Sequence, residues 1–123
     1  MIEVFVPGKL RNPLNGSWGG WRKHARLAKD WRERTEHHLL AAVRADPVMS
    51  HPGVKKQVTF CAHVGHLWDS DNLPGALKPV RDGVARMCCG GNDGPTSGHE
   101  WIYLQQIDRQ RRGVSIRIEA RDA

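Results

Sequence analysis

Val58-Thr59-Phe60-Cys61-Ala62-His63-Val64 alternates apolar with more polar residues. A different rhythm starts soon after it, with Leu73, Leu77, Val80, Val84 and Met87 stepping by 4, 3, 4 and 3. A period of two marks a strand with one buried face, and a mean step of about 3.5 marks the buried stripe of a helix. The centre of the chain is therefore predicted to be a strand running into a helix. Pro74 suits the first turn of that helix, where its missing N–H has no partner to lose. Pro79 either begins the regular helix or kinks it, and the sequence leaves both open.

Upstream, Ile2, Val4 and Val6 alternate with Glu3 and Phe5 and predict a first strand, ended by Pro7-Gly8. Residues 8–21 are rich in Gly, Asn and Pro and carry Trp18 and Trp21, a long connection of the kind that often has a function. Residues 23–44 contain no Gly or Pro, and Leu27, Trp31, Leu39 and Val43 recur near helical spacing. That predicts one amphipathic helix, closed by Asp46-Pro47.

Downstream, Cys89-Gly90-Gly91-Asn92-Asp93-Gly94-Pro95 reads as a tight loop. Residues 101–107 are strand formers and 108–113 a charged turn. Val114, Ile116, Ile118 and Ala120 alternate with Ser115, Arg117 and Glu119 in a last strand. The predicted class is α/β (α+β): one small domain over 1–123, order β-α-β-α-β-β, with a mixed sheet of about four strands and two main helices.

A chain of 123 residues suits one domain, and 39% hydrophobic with 26% charged residues is an ordinary globular composition. The formal charge of +6 and a pI near 9.7 favour a polyanionic partner, most commonly nucleic acid. Cys61, Cys88 and Cys89 are odd in number, two are adjacent, and there is no C-x-x-C. A disulfide framework is not expected, and a reducing cytoplasm is. The first residues are too short and acidic a run for a signal peptide, and no apolar stretch approaches the roughly 20 residues of a membrane span.

Trp68-Asp69-Ser70-Asp71-Asn72-Leu73, between predicted strand and helix, carries the chemistry. Two carboxylates two residues apart on an extended stretch point the same way and can face one hard cation such as Mg²⁺. For a bare D-x-D-N, helix capping is the commoner role, because Asp and Asn accept bonds from free N–H groups. A calcium loop fails for want of its Gly and distal Glu. Cys61, His63 and His66 lie close together, but no spacing matches a paired zinc motif. Ser17 and Ser70 lack a Gly-x-Ser-x-Gly context.

Arg22, Arg26 and Lys29 fall on one side of the first predicted helix, and Lys23, Arg32 and Arg34 widen the positive surface. Such a surface can neutralise phosphates while Trp18 and Trp21 stack on bases; equally, it is a solvated face beside core tryptophans. Arg109-Gln110-Arg111-Arg112 is a further candidate for binding phosphate, or a solvated turn.

Taken together, these residues resemble the RusA family of Holliday junction resolvases. The resemblance rests on Asp69-Ser70-Asp71-Asn72-Leu73 after a strand, then Lys78, Asp82-Gly83-Val84 and Asn92-Asp93. It extends to the first strand, Asn12-Pro13-Leu14-Asn15, the basic Lys29-Asp30-Trp31-Arg32 and the terminal strand, and so covers nearly the whole chain. Two departures stand out. Lys78 lies six residues after Asn72 where the family often has three, and the loop before the third acid keeps a single carboxylate.

The resemblance implies a homodimeric crossover junction endodeoxyribonuclease acting on branched DNA. Asp69, Asp71 and Asp93 would be its ligands to Mg²⁺ (Mn²⁺ substituting), and Lys78 would stabilise charge on the phosphate. Arg22, Lys23, Arg26, Lys29 and Arg32 would form its DNA surface. Asp82 competes with Asp93 as third acid, or pairs with Lys78 one turn away. The alternatives are a non-catalytic DNA- or RNA-binding protein whose acids cap a helix, and a related nuclease whose activity has decayed.

Overall fold

A computed structural model of the chain describes residues 1–11 and 20–121. Trp18 and the Asn12-Pro13-Leu14-Asn15 motif lie outside the described residues. The elements follow the predicted order: β1 (Ile2–Pro7), α1 (Gly20–Ala45), β2 (Lys56–Val64), α2 (Leu73–Cys88), β3 (Glu100–Ile107) and β4 (Gly113–Ala120). The strands form one mixed sheet in the order β1-β4-β2-β3. The terminal strand β4 runs antiparallel to both β1 and β2, whereas β3 lies parallel to β2. The parallel pair requires a crossover, and α2 supplies it.

Alternation decides which face is covered. Val58, Phe60, Ala62 and Val64 of β2 and Val114, Ile116 and Ile118 of β4 are buried. They form one cluster with Trp31 and Leu39 of α1 and Leu73, Leu77, Val80 and Val84 of α2. Register places Trp101 and Tyr103 of β3 beside Val58 and Phe60 on this face, and both rings stack on Phe60. The opposite face carries Phe5, Thr59, Cys61, Ser115 and Arg117, which line a hollow with no described helix residue in its wall. No described helix is long and apolar enough to cross a membrane.

Three local outcomes differ from the sequence expectations or decide between them. Helix α1 begins at Gly20, so Trp21 belongs to its first turn rather than to the loop; nothing between that glycine and Ala45 interrupts helical bonding. Strand β2 begins at Lys56, where pairing with Ala120 of β4 extends the ladder. Helix α2 runs on through Pro79, with Pro74 in its first turn. The carbonyl that Pro79 leaves without its helical donor belongs to Gly75, which is exposed and can turn to water.

The helices cross tightly at Gly83. A Cβ there would come within 3.0 Å of the Arg32 carbonyl oxygen and 3.1 Å of the Thr35 side chain. Buried Thr35 keeps its hydroxyl satisfied at this crossing by donating to the Trp31 carbonyl at 2.8 Å. Gly83→Ala should therefore destabilise the protein by about 1–3 kcal/mol in urea unfolding, as overpacking does. Gly75→Ala, with no atom within 4 Å of its new methyl, should be neutral or stabilise by up to about 1 kcal/mol. Equal effects of the two would mean that the helices do not approach through Gly83.

Candidate active site

Residues 65–72 leave the end of β2 and turn into α2, and a neutral side chain fixes them. The Trp68 N–H donates to Gln105 Oε1 at 2.9 Å, and Gln105 Nε2 donates to the Trp68 carbonyl at 2.8 Å. Gln105 thus ties the acidic segment to β3 much as another strand would. In sequence it looked like any polar strand residue, and only its register beside the end of β2 reveals the role.

The expectation of an extended acidic stretch needs correction. The Asn72 N–H bonds the Asp69 carbonyl at 3.0 Å, so 69–72 is a turn, because the chain must reverse to enter α2. Strand alternation therefore does not align the two carboxylates. The capping explanation is not met either. Asn72 is the N-cap residue, but its side chain makes no capping bond. Among the described residues, the Asp69 and Asp71 carboxylates make no hydrogen bond or ion pair, and both residues are exposed.

The second acidic loop is brought back along α2. Gly90 and Gly91 take φ of +63° and +82°, the left-handed region that ends helices, and the Gly91 N–H bonds the Ala85 carbonyl. The Asn92 side chain accepts from the Gly94 N–H, closing the turn. Asp93 is thereby delivered to the middle of α2. Its Oδ2 accepts from Lys78 Nζ at 2.8 Å and from Arg81 Nε at 2.9 Å. Lys78 also donates to Asp82 Oδ1 at 2.7 Å, the one-turn pairing expected from their spacing. Arg81 further donates to the Asp93 carbonyl and to the Tyr103 hydroxyl, and its guanidinium lies 4.5 Å over the Trp101 ring.

The hydrogen bond from Lys78, then the charges of Lys78 and Arg81, outweigh partial burial and hold the Asp93 carboxyl below its ordinary range. For Lys78, partial burial works against the charge, but bonding to Asp82 and Asp93 keeps its ammonium above the ordinary lysine range.

Carboxylate oxygens are the right donors for Mg²⁺, which usually takes one or two of them with waters and phosphate. Asp69 and Asp71 carry such oxygens, and both residues are exposed. Asp93 does not join them here, being occupied by Lys78 and Arg81. Among the described residues no three His, Cys, Asp or Glu side chains gather as metal ligands.

Arg22, Lys23, Arg26 and Lys29 are exposed on α1, with Lys29 3.8 Å from Glu33. Arg32 departs from them: it is half-buried, with its Nε out of solvent and without a hydrogen-bond partner. Cys61 and His63 share the open sheet face, as their spacing predicts. His63 Nε2 lies 2.6 Å from Ser115 Oγ and Nδ1 lies 3.4 Å from Asp108. This has the atom order of a hydrolytic triad, but Ser115 stands mid-strand, paired on both sides with Phe5 and Cys61. That position provides no oxyanion hole. Cys88 and Cys89 are buried at the end of α2, and burial pushes the Cys88 thiol up to about 11, away from reactivity.

Compared with known proteins, the chain matches no family model, no curated protein and no solved structure.

Because the folded Asp93 carboxyl lies below its unfolded value, folding stability from this group is present above about 3.8 and lost as pH falls through the lower folded value. Asp93→Asn should lower stability at neutral pH by about 1 kcal/mol and flatten its loss on acidification, in urea titrations from about pH 6 to pH 3. An unchanged acid limb would mean that Asp93 is not held by Lys78 and Arg81 in solution.

Proposed function

We propose that the chain is a metal-dependent, structure-selective endodeoxyribonuclease of the RusA type, cutting four-way DNA junctions. The observation that carries this reading is that Asp69 and Asp71 neither cap nor pair with any described residue, in a chain of net charge +6. Two open carboxylates at the place where a basic chain receives a polyanion would repel it unless a cation lay between them. Asp69 and Asp71 would hold Mg²⁺ or Mn²⁺, and Asp93 would join them if it exchanged its bonds from Lys78 and Arg81. When bound, the ion supplies Lewis-acid stabilisation of the phosphate and a more acidic water.

The residues of the chain do the rest. Gln105 holds the peptide leading into Asp69 in place. Lys78, released from Asp93, would offer its ammonium to a phosphate oxygen while Asp82 keeps it oriented. Arg22, Lys23, Arg26 and Lys29 would position DNA along α1 through its phosphates, with Arg32 at the edge of that surface. A twofold homodimer would supply the two sites that symmetric resolution of a junction needs, in the cytoplasm of a bacterial or phage-infected cell.

The ion pairs of Asp93 favour a second reading, in which the chain binds DNA or RNA without cutting it.

A synthetic four-way junction incubated with and without Mg²⁺ or Mn²⁺ separates the two. Metal-dependent cleavage is expected, and binding with no cleavage in either metal would establish the second reading. Asp71→Asn should abolish cleavage while binding stays equal or tightens. In single-turnover assays Asp93→Asn should lose orders of magnitude and Asp82→Asn far less; the reverse order would reassign the third acid to Asp82.

Arg26→Ala with Lys29→Ala should weaken binding to all DNA alike. It should flatten the slope of log affinity against log salt by about 0.9 for each phosphate no longer neutralised. An unchanged slope would remove α1 from the DNA surface.

A further inference from the structure

A second cluster flanks the acidic segment, and the roles above leave it unused. Lys9, His63, His66, Trp68 and Arg112 stand around Gly65 in a pocket at the end of β2. Its walls are tied to one another. The Gly8 N–H bonds the Arg112 carbonyl at 3.1 Å, and the Asp108 N–H bonds the Val64 carbonyl at 2.9 Å. The end of β1, the end of β2 and the 108–112 turn therefore hold a fixed shape around it.

The pocket is built around Arg112. Its guanidinium lies against the bare backbone of buried Gly65, so close that a Cβ on that residue would overlap it, with Cζ only 2.7 Å away. Arg112 Nε is out of solvent and has no hydrogen-bond partner. Among the described residues no carboxylate pairs with Arg112, Lys9 or His66. The acid nearest Arg112 in sequence, Asp108, is occupied by the Gln110 and Arg111 N–H groups and by His63. No acidic side chain appears among the described lining residues. A guanidinium N–H held out of solvent without an acceptor is costly, and an anionic oxygen relieves that cost. Lys9, His66 and Arg112 line the pocket from three separate segments, and a tetrahedral anion with several oxygens can meet more of them than a planar carboxylate can.

We propose that this pocket is a phosphate-binding site, taking a phosphodiester of the nucleic-acid strand next to the one presented to Asp69 and Asp71. This rests on the nuclease reading for the identity of the strand. The continuity is direct, because Trp68 lines the pocket and is followed at once by Asp69. Arg112 and Lys9 supply the charge and His66 a further donor. The anchor would fix which phosphate along the strand reaches the acids.

The test uses no metal and no cleavage. The ¹⁵N-labelled protein is titrated with inorganic phosphate, and separately with a 5′-phosphorylated thymidine dinucleotide, at constant ionic strength set by chloride. Saturable shifts are expected at the Gly65 amide and Arg112 Nε, with the dinucleotide binding more tightly. Arg112→Gln should weaken binding about tenfold or more. Gly65→Ala should do the same while leaving every charge in place, because its methyl displaces the guanidinium; it guards against misfolding of the Arg112 variant. Arg117→Gln, on the open sheet face, should bind as wild type does.

Shifts that never saturate, shifts spread equally over Arg22 and Arg26, or wild-type affinity in folded Gly65→Ala would each overturn the proposal. Saturable phosphate binding by a protein that leaves junctions intact would reject the nuclease and keep the pocket. Cleavage without saturable binding would do the opposite.

Discussion

Arg81 locates the second acidic loop, and much of the site depends on it. It is only 22% exposed in its side chain, so its charge must be met by protein groups rather than water. One planar group meets the Asp93 carboxylate and carbonyl, the Tyr103 hydroxyl and the Trp101 ring. It thereby joins α2, the loop after it and β3, three segments far apart in sequence. A lysine could not do this, because an ammonium is a point charge and cannot serve an edge and a face at once. Since α2 also carries Lys78 and starts from the Asp69–Asn72 turn, fixing α2 on β3 places all the acidic groups.

The distribution of charge follows from which groups are already satisfied. Asp82 and Asp93 are occupied by cations of α2, and Asp108 by backbone N–H groups and His63. Asp69 and Asp71 are left to solvent, and in the pocket that Trp68 also lines Arg112 and Lys9 pair with no carboxylate among the described residues. Trp68 thus stands between open charges of both signs. The clamp between them is Gln105, a neutral amide. It fixes the peptide with two hydrogen bonds and adds no charge to disturb either side.

Polar groups also serve the frame beneath the site. Lys56 is fully buried, and its ammonium donates to the carbonyls of His51 and Val54 at 2.7 Å each. Burial pulls it below the ordinary lysine range, and the charge of Lys55 adds to this. The two bonds fasten the loop ahead of β2 to the first residue of that strand. Thr35 and Gly83 together let the helices approach, one by returning its hydroxyl to its own helix and the other by having no side chain.

The sequence by itself determined the element order, the covered faces of β1, β2 and β4 and the buried stripe of α2. These follow from periods of two and about 3.5, which act through local geometry and the burial of apolar surface. It also determined the pairing of Lys78 with Asp82, one helical turn apart, and the tight glycine loop before Asp93. Tertiary structure decided the rest. It chose the strand order, carried α2 through Pro79 and bent the acidic stretch into a turn. It gave Asp93 to Lys78 and Arg81, clamped Trp68 with Gln105 and left Arg112 against Gly65. Each of these joins residues from different elements. Such partners are set by register and by which charge lacks water, and no local period encodes either.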